Sequence, residues 1–208
     1  MARSRQVSVI KRRIPRQLRA NETVGTILEA AAQVLEAGGL AAFTTNAVAE
    51  RAGVSIGTLY QYFADKDAVL RALAEHELKT TLASVAKAMT DDHSAQPEQR
   101  VRAIVRAIVH AFRGRQRARK AVVQAMFNQS GGAALQGPIT AFIAENALKT
   151  LSEEQTFVLS RALLGAIRSA VLEEQRFLKS QSFEDELVRL ALAYLRAVSV
   201  LPASTEPG

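Results

Sequence analysis

Cysteine and tryptophan are absent from the sequence, and its three histidines lie far apart. Without cysteine the chain can form neither a disulfide framework nor a thiolate site, which is compatible with a reducing cytoplasm. The histidines lack the H-E-x-x-H spacing, and there is no glycine-rich phosphate loop. We therefore expect no metal site, no cofactor and no catalytic residues, and an α-helical enzyme is the least supported alternative.

Long apolar stretches are missing as well. No run approaches the ~20 residues that a membrane-spanning helix needs, and the basic N-terminus lacks the apolar segment of a signal peptide. These absences predict a soluble, cytoplasmic protein without a membrane partner.

What the chain does contain favours helices. Of its 208 residues 48% are apolar and only 5% are aromatic, and alanine and leucine are abundant. This composition is typical of helical rather than strand-rich domains. The length allows one large or two small domains.

The net charge of +7 is concentrated at the N-terminus. Residues 1–19 contain seven of the 27 basic residues and no acidic residue, so the remaining 20 basic residues equal the 20 acidic ones. A basic arm can neutralise DNA phosphates or enter the minor groove, and the alternative is a solvated tail that aids solubility. We expect residues 1–20 to form a flexible arm.

One stretch, residues 44–66, predicts two short helices joined by a tight turn. Thr45 can cap the first helix and Ser55 the second, because each hydroxyl can accept a hydrogen bond from an unpaired N–H group at a helix start. Gly53 lies at the turn, where a residue without Cβ adopts a positive φ at little cost. A helix-turn-helix of this kind reads DNA by placing its second helix in the major groove.

This stretch resembles the DNA-binding core of the TetR family of transcriptional regulators. The resemblance covers about residues 24–73, and the matching residues are Thr44, Thr45, Ala49, Ala52, Gly53, Val54, Ser55, Gly57, Thr58, Leu59, Tyr60, Tyr62, Phe63, Lys66 and Leu70. It implies an all-α fold of about nine helices. An N-terminal three-helix DNA-binding unit would occupy residues 21–66, a larger helical domain for ligand binding and dimerisation residues 67–201, and a frayed tail residues 202–208.

The resemblance also implies which residues contact DNA. The expected base-reading positions are Ile56, Gly57, Thr58 and Gln61. Gln61 can bond adenine at two points and Thr58 offers a hydroxyl and a methyl group, whereas Ile56 departs from the family pattern and could contact a thymine methyl. The expected phosphate contacts are Thr45, Tyr60, Tyr62 and Lys66, together with Asn46 at a phosphate or a base and Ser55 at the helix start. For Tyr60 the alternative is packing into the small core with only the hydroxyl outside.

Apolar residues at helical spacing predict the other elements. Asn21 is the expected N-cap of a first helix that Gly38 and Gly39 end, and Leu40 and Phe43 would complete its small core. Further helices are expected at residues 66–90, capped by Asp65, and at 98–114, 116–128, 138–150, 152–178 and 182–200. Ser152 and Gln155 form the pattern of a capping box.

One reading helix covers about four base pairs, which is too few for specific regulation, so the protein is expected to act as a symmetric dimer. The candidate interface residues lie on the last two helices and are Ala162, Ala166, Ser169, Leu187, Leu190, Ala191, Tyr194 and Val198. Periodicity alone does not distinguish such an interface from the core of a single chain.

The middle helices would hold a pocket for a small-molecule effector, with candidate lining residues Phe112, Met126, Phe127, Phe142 and Phe157. Core packing explains each of these residues equally well. A second basic cluster, residues 113–120, is expected to lie at the end of one helix and in the turn after it. The alternatives are a second nucleic-acid patch or a site for an acidic partner.

Together these features predict a repressor that binds a palindromic double-stranded DNA operator as a homodimer and is released by its effector. The alternative is a DNA-binding structural or interaction protein without an effector.

Overall fold

The structure is a computed structural model and describes residues 16–90, 96–130, 140–141 and 151–198. Every regular element in these ranges is helical, which confirms the predicted all-α class. The elements are α1 (Arg16–Ala42), α2 (Thr45–Ala52), α3 (Ile56–Tyr62), α4 (Lys66–Thr90), α5 (Pro97–Ala111), α6 (Gln116–Ser130), α7 (Glu153–Leu172), a short 3-10 helix (Arg176–Lys179) and α8 (Gln181–Ala197). The predicted helix at 138–150 lies almost wholly outside the described residues, as does the tail at 202–208.

Helix α1 begins earlier than the sequence suggested. It starts at Arg16, so the prediction that Asn21 is its N-cap is wrong. Residues 16–20 are mostly strong helix formers and follow directly after Pro15 in the sequence, so they continue the helix towards the N-terminus. The predicted arm is therefore shortened to residues 1–15, which lie outside the described residues.

Gly39 breaks α1 as predicted, with a φ of 65°. Beyond this kink the chain turns towards α2 and buries Phe43, as expected, together with Val48 and Leu59. Leu40 was expected in the same core but is 44% exposed. The Phe43 N–H bonds to the Leu40 carbonyl at 3.3 Å, so Leu40 lies on the outer side of a tight turn.

Helix α4 connects the small unit to the rest of the chain. Its predicted cap is confirmed, because the Asp65 carboxylate accepts a hydrogen bond from the Ala68 N–H at 2.6 Å. Val69 and Leu73 near its start and Val85 near its end are all buried in the continuous apolar core. One helix thus contributes to both parts of the molecule.

Of the C-terminal helices, α5 and α6 pack directly against α4. Helix α5 packs between α4 and α8, whereas α6 packs against α1, α4 and α7. Helix α6 extends to Ser130, two residues past its expected end. Helix α8 is capped by Ser180 and ends at Ala197, rather than spanning 182–200.

The start of α7 was predicted correctly and its end was not. Ser152 and Gln155 form the expected reciprocal capping box. The helix ends at Leu172 instead of 178, because Glu174 adopts a left-handed conformation with a φ of 55°. The Gln175 N–H then returns to the Ala170 carbonyl at 2.9 Å and closes the helix end.

Candidate nucleic-acid interface

The first helix of the motif is capped by Thr44 and not by Thr45. The Thr44 hydroxyl accepts a hydrogen bond from the Ala47 N–H at 3.1 Å, and Thr44 itself is extended, as an N-cap residue must be. Thr45 is already the first helical residue. Its hydroxyl instead lies 3.3 Å from the hydroxyl of Tyr60, so it joins α2 to α3 at the surface.

Gly53 makes the turn between the two helices. Its φ of 67° and ψ of 28° are left-handed, and its N–H returns to the carbonyls of Ala49 and Glu50. An added Cβ would meet no atom within 4 Å. Backbone conformation, and not lack of space, therefore requires glycine at this position.

Ser55 caps α3 as predicted. Its hydroxyl accepts a hydrogen bond from the Thr58 N–H at 3.0 Å and lies 2.8 Å from the Thr58 hydroxyl. Leu59, on the inner side of α3, is completely buried. The cap fixes where the helix begins, and the buried leucine fixes which side of it faces outward.

The outward side of α3 is what the motif offers to a partner. Ile56, Gly57, Tyr60 and Gln61 are exposed there, and Thr58 is only half-buried, at the margin of the helix. Tyr60 is 53% exposed, which favours a surface role over the alternative of packing into the small core. Tyr62 at the end of α3, Asn46 at the start of α2 and Lys66 at the start of α4 are also exposed.

A series of side-chain hydrogen bonds connects the motif to α1 and to the residue before α6. Arg51 of α2 donates to the Gln33 side chain at 2.6 Å, and Gln33 donates to Glu29 at 2.7 Å. Arg115, the residue before α6, then donates to both carboxylate oxygens of Glu29. The hydrogen bond from Arg115, followed by that from Gln33, lowers the pKa of Glu29 to about 2.

The basic cluster at residues 113–120 is used within the chain. Arg119 pairs with Glu77 of α4 at 2.5 Å, Arg117 donates to a carbonyl near the end of α1, and Lys120 pairs with Glu174. The contacts of Arg115, Arg117 and Arg119 join this part of the chain to α1 and α4, whereas that of Lys120 joins it to the residues after α7. Residue types and spacing do not predict these contacts, because the partners lie far away in the chain.

Arg113, at the start of the same cluster, faces the C-terminal helices. Its guanidinium bonds to the fully buried carboxylate of Glu184 at 3.1 Å, and Arg106 bonds to the same carboxylate at 2.8 Å. Burial raises the pKa of Glu184, but the hydrogen bonds from Arg106 and Gln181 and the two positive charges outweigh it and lower the pKa. Glu184 thus stays ionised and ties α8 to α5.

Of the five predicted effector residues, the structure describes the side chains of Phe112 and Phe157. Phe112 is buried in the core, whereas Phe157 is 57% exposed. The side chains of Met126 and Phe127 and the whole of Phe142 lie outside what the structure describes. A groove of about 490 Å³ between α5 and α8 and a cavity of about 290 Å³ between α1, α4 and the α5–α6 turn are lined by other residues.

The predicted dimer residues divide into two groups. Leu187 and Ala191 are buried within the chain, so they offer almost no side-chain surface to a partner. Leu190 is 43% exposed, and the remaining candidates are exposed or half-buried, namely Ala162, Ala166, Ser169, Tyr194 and Val198. Phe157 and Val158, on the same helix as Ala162, add exposed apolar surface to this group.

Within the described residues no group of histidine and acidic side chains is arranged to hold a metal ion. No helix in those same ranges is long and apolar enough to cross a membrane.

Comparison with known proteins agrees with the motif. Residues 27–73 match the family described as bacterial regulatory proteins, tetR family. Over 85 residues the chain is 34% identical to the HTH-type transcriptional regulator BetI of Burkholderia thailandensis, and the match covers 41% of each protein. The chain thus spans about two fifths of the length of this curated relative, which is named as a regulator and not as an enzyme.

Two solved structures share the fold over most of the chain. A TetR-family transcriptional regulator from Streptomyces coelicolor is 21% identical, with a TM-score of 0.60 over 85% of this chain and 99% of its own. The multidrug binding protein EbrR, solved with imidazole, is 20% identical, with a TM-score of 0.58 over 80% of this chain and 93% of its own. These likenesses bear on the fold alone.

Proposed function

We propose that the chain is a transcriptional regulator of the tetR family of bacterial regulatory proteins, the family that residues 27–73 match, and that it binds a double-stranded DNA operator. The observation that carries this proposal is the exposed side of α3, whose start is capped by Ser55 and whose inner side is fixed by Leu59. A surface held in this way can enter the major groove without rearranging. Binding to chromosomal DNA would locate the protein in the cytoplasm.

The exposed polar groups around α3 would hold the phosphates. The paired hydroxyls of Thr45 and Tyr60 lie on one side of the motif, and Tyr62 and Lys66 follow where α3 leads into α4. Asn46, exposed on the first turn of α2, is a further candidate. Contacts of this type fix the register of the protein on DNA but do not read its sequence.

The active form would be a homodimer on a palindromic operator. Helix α3 has seven residues, and a second copy about 34 Å away would double the length of DNA read. The exposed apolar side chains of Phe157, Val158 and Leu190 on α7 and α8 support an interface there. Ala162, Ala166 and Ser169 are small enough to let two copies of α7 approach closely.

The regulator would act as a repressor that a small molecule releases. The likeness to EbrR, a protein named for multidrug binding, supports an effector site in the C-terminal helices. An effector need only bind more tightly to the form whose reading helices are wrongly spaced, and a difference of a few kcal/mol would suffice to release DNA.

The test is fluorescence anisotropy with the full chain on DNA from upstream of its own gene and on scrambled DNA of equal length. We expect specific, salt-sensitive binding that Tyr62→Ala weakens about tenfold through a lost phosphate contact. Phe177→Ala is the matched control, because Phe177 is also an exposed aromatic residue but belongs to the 3-10 helix.

Lysine variants test the phosphate contacts separately. Lys66→Ala should reduce the slope of log affinity against log salt by about one per chain. Lys79→Ala should leave the slope unchanged, because Lys79 lies about 20 Å further along α4. If the upstream DNA is not bound, a genome-wide selection of bound fragments decides, and an empty selection would overturn the proposal. Specific binding that no small molecule shifts would instead favour a structural DNA-binding protein.

A further inference from the structure

The exposed side of α3 lacks the side chains that most often read guanine. Its sequence, Ile56–Tyr62, contains no arginine and no lysine, and these residues make the commonest contacts to the guanine edge in the major groove. Its first residue, Ile56, is 38% exposed although it is a large aliphatic residue. An aliphatic group at this point suits an apolar partner, and the only apolar group on a base edge in the major groove is the thymine methyl.

The polar groups of the motif further restrict which bases α3 can contact. The hydroxyls of Ser55 and Thr58 lie 2.8 Å apart and engage each other. Gln61 is exposed, and its carboxamide has no hydrogen-bond partner in the described part of the chain. The oxygen of the carboxamide can accept a hydrogen bond from the adenine N6–H, and its N–H can donate to adenine N7, so adenine is the base that it fits at two points.

Ile56 and Gln61 would read different base pairs. They are five residues apart, which corresponds to about 7.5 Å along the helix axis and about 140° around it. Gly57 lies between them on the exposed side and adds no side chain, and an added Cβ there would meet only the Ser55 hydroxyl, at 3.8 Å. Backbone and base edges can therefore approach closely between the two reading side chains.

We infer that α3 reads an A·T-rich half-site, in which Ile56 contacts a thymine methyl group and Gln61 contacts an adenine. This inference rests on the proposed function and adds the identity of the bases. It assigns no role to the residues that hold phosphates, so the two proposals can fail separately.

The experiment begins with selection of bound duplexes from random DNA by the full-length protein. Each thymine of the selected half-site is then replaced by deoxyuridine, which removes the methyl group and nothing else. We expect one particular thymine of the half-site to respond. Its replacement in one half-site should weaken binding about fourfold, through the loss of one buried methyl group, and its replacement in both half-sites should weaken binding about fifteenfold. Replacing the contacted adenine by 7-deazaadenine removes N7 and should weaken binding about fivefold or more.

Variants assign each effect to its residue. Ile56→Ala should abolish the uracil effect and keep the 7-deazaadenine effect, and Gln61→Ala should do the opposite. Ile56→Val keeps an aliphatic side chain and should retain most of the uracil effect. Failure to select any sequence would count against the proposed function itself. A selected half-site that is G·C-rich under α3, or a uracil effect that persists in Ile56→Ala, would overturn the base assignment alone.

Discussion

Arg115, the residue directly before α6, donates hydrogen bonds to both carboxylate oxygens of Glu29 of α1, with nitrogen–oxygen distances of 2.5 and 3.0 Å. The two residues are 86 positions apart in the chain. Glu29 also accepts a hydrogen bond from Gln33, which is bonded to Arg51 of the motif. The body of the protein and the helix-turn-helix thus share one polar connection.

This pair should make stability depend on acidity. The folded-state pKa of Glu29 is about 2, below its ordinary value of 4.5, so its contribution is present above pH 4.5 and is lost as the pH falls towards 2. Because both side chains are about half exposed, solvent screening limits the contribution to about 0.2–1 kcal/mol. In urea titrations Glu29→Gln should lower the free energy of unfolding at pH 7 and have a smaller effect at pH 3.

The matched control is Glu22→Gln, an exposed glutamate on the same helix, which should change neither value. A double-mutant cycle with Arg115→Gln should give a coupling energy at pH 7. Additive effects of the two single variants would show that the pair contributes nothing to stability.

Thr44 and Thr45 are adjacent, but the same substitution should affect stability at Thr44 and DNA binding at Thr45. Thr44→Ala removes the cap of α2 and should lower the free energy of unfolding by about 1 kcal/mol. Thr45→Ala removes only a surface hydroxyl contact to Tyr60, so it should leave stability nearly unchanged while weakening DNA binding. Chemical denaturation and anisotropy measured on both variants test this, and equal stability losses would contradict the assigned cap.

Substitution by alanine should change the stability of the protein in opposite directions at Gly53 and at Gly57. Gly53→Ala forces a side chain into a left-handed conformation and should destabilise the protein by roughly 1–2 kcal/mol. Gly57→Ala should stabilise α3 by about 0.5–1 kcal/mol, because alanine is the better helix former. It should nevertheless weaken DNA binding, since the new methyl group stands on the exposed reading side.

Gly25→Ala is the control for the helix effect, because Gly25 lies within α1 with open space around its Cβ position. It should stabilise the protein without the loss of DNA binding. Tighter DNA binding by Gly57→Ala would show that α3 does not approach the bases at this residue.

The proposed interface can be tested by a charge at Leu190. Leu190→Arg places a cation in the apolar surface on α7 and α8, and should raise the dimer dissociation constant tenfold or more, by roughly 1.4 kcal/mol or more. Leu40→Arg is the control, because Leu40 has almost the same exposure, 44% against 43%, but lies near the end of α1. Sedimentation equilibrium on both variants gives the result, and an undisturbed dimer in Leu190→Arg would remove this surface from consideration.

Local signals in the sequence were sufficient for most of the motif. Ser55, Asp65 and Ser152 each cap a helix by accepting a hydrogen bond from the N–H three residues on, and Gly53 can be recognised as a left-handed residue by its type alone. All of these interactions are made within a few residues, so residue type and spacing determine them.

Other features depend on parts of the chain that are distant or on unusual conformations. Glu174 ends α7 in a left-handed conformation without the glycine that usually marks such an end. Leu40 has the residue type of a core position but the exposure of a surface one. The partner of Arg115 could not be inferred, because salt bridges between distant helices leave no periodic pattern in the sequence.

The side chain of Glu36 in α1 provides a hydrogen-bond acceptor for the first turn of α6. Its carboxylate accepts a hydrogen bond from the Ala118 N–H at 3.1 Å, across 82 positions of sequence, while Arg117 returns a hydrogen bond to the Ala37 carbonyl at 3.1 Å. Each helix therefore satisfies a backbone hydrogen-bonding group near an end of the other. The first turn of α6 gains this hydrogen bond only when α1 is in place. The DNA-binding unit and the body should accordingly unfold together, in a single cooperative transition with coincident far-UV and fluorescence midpoints.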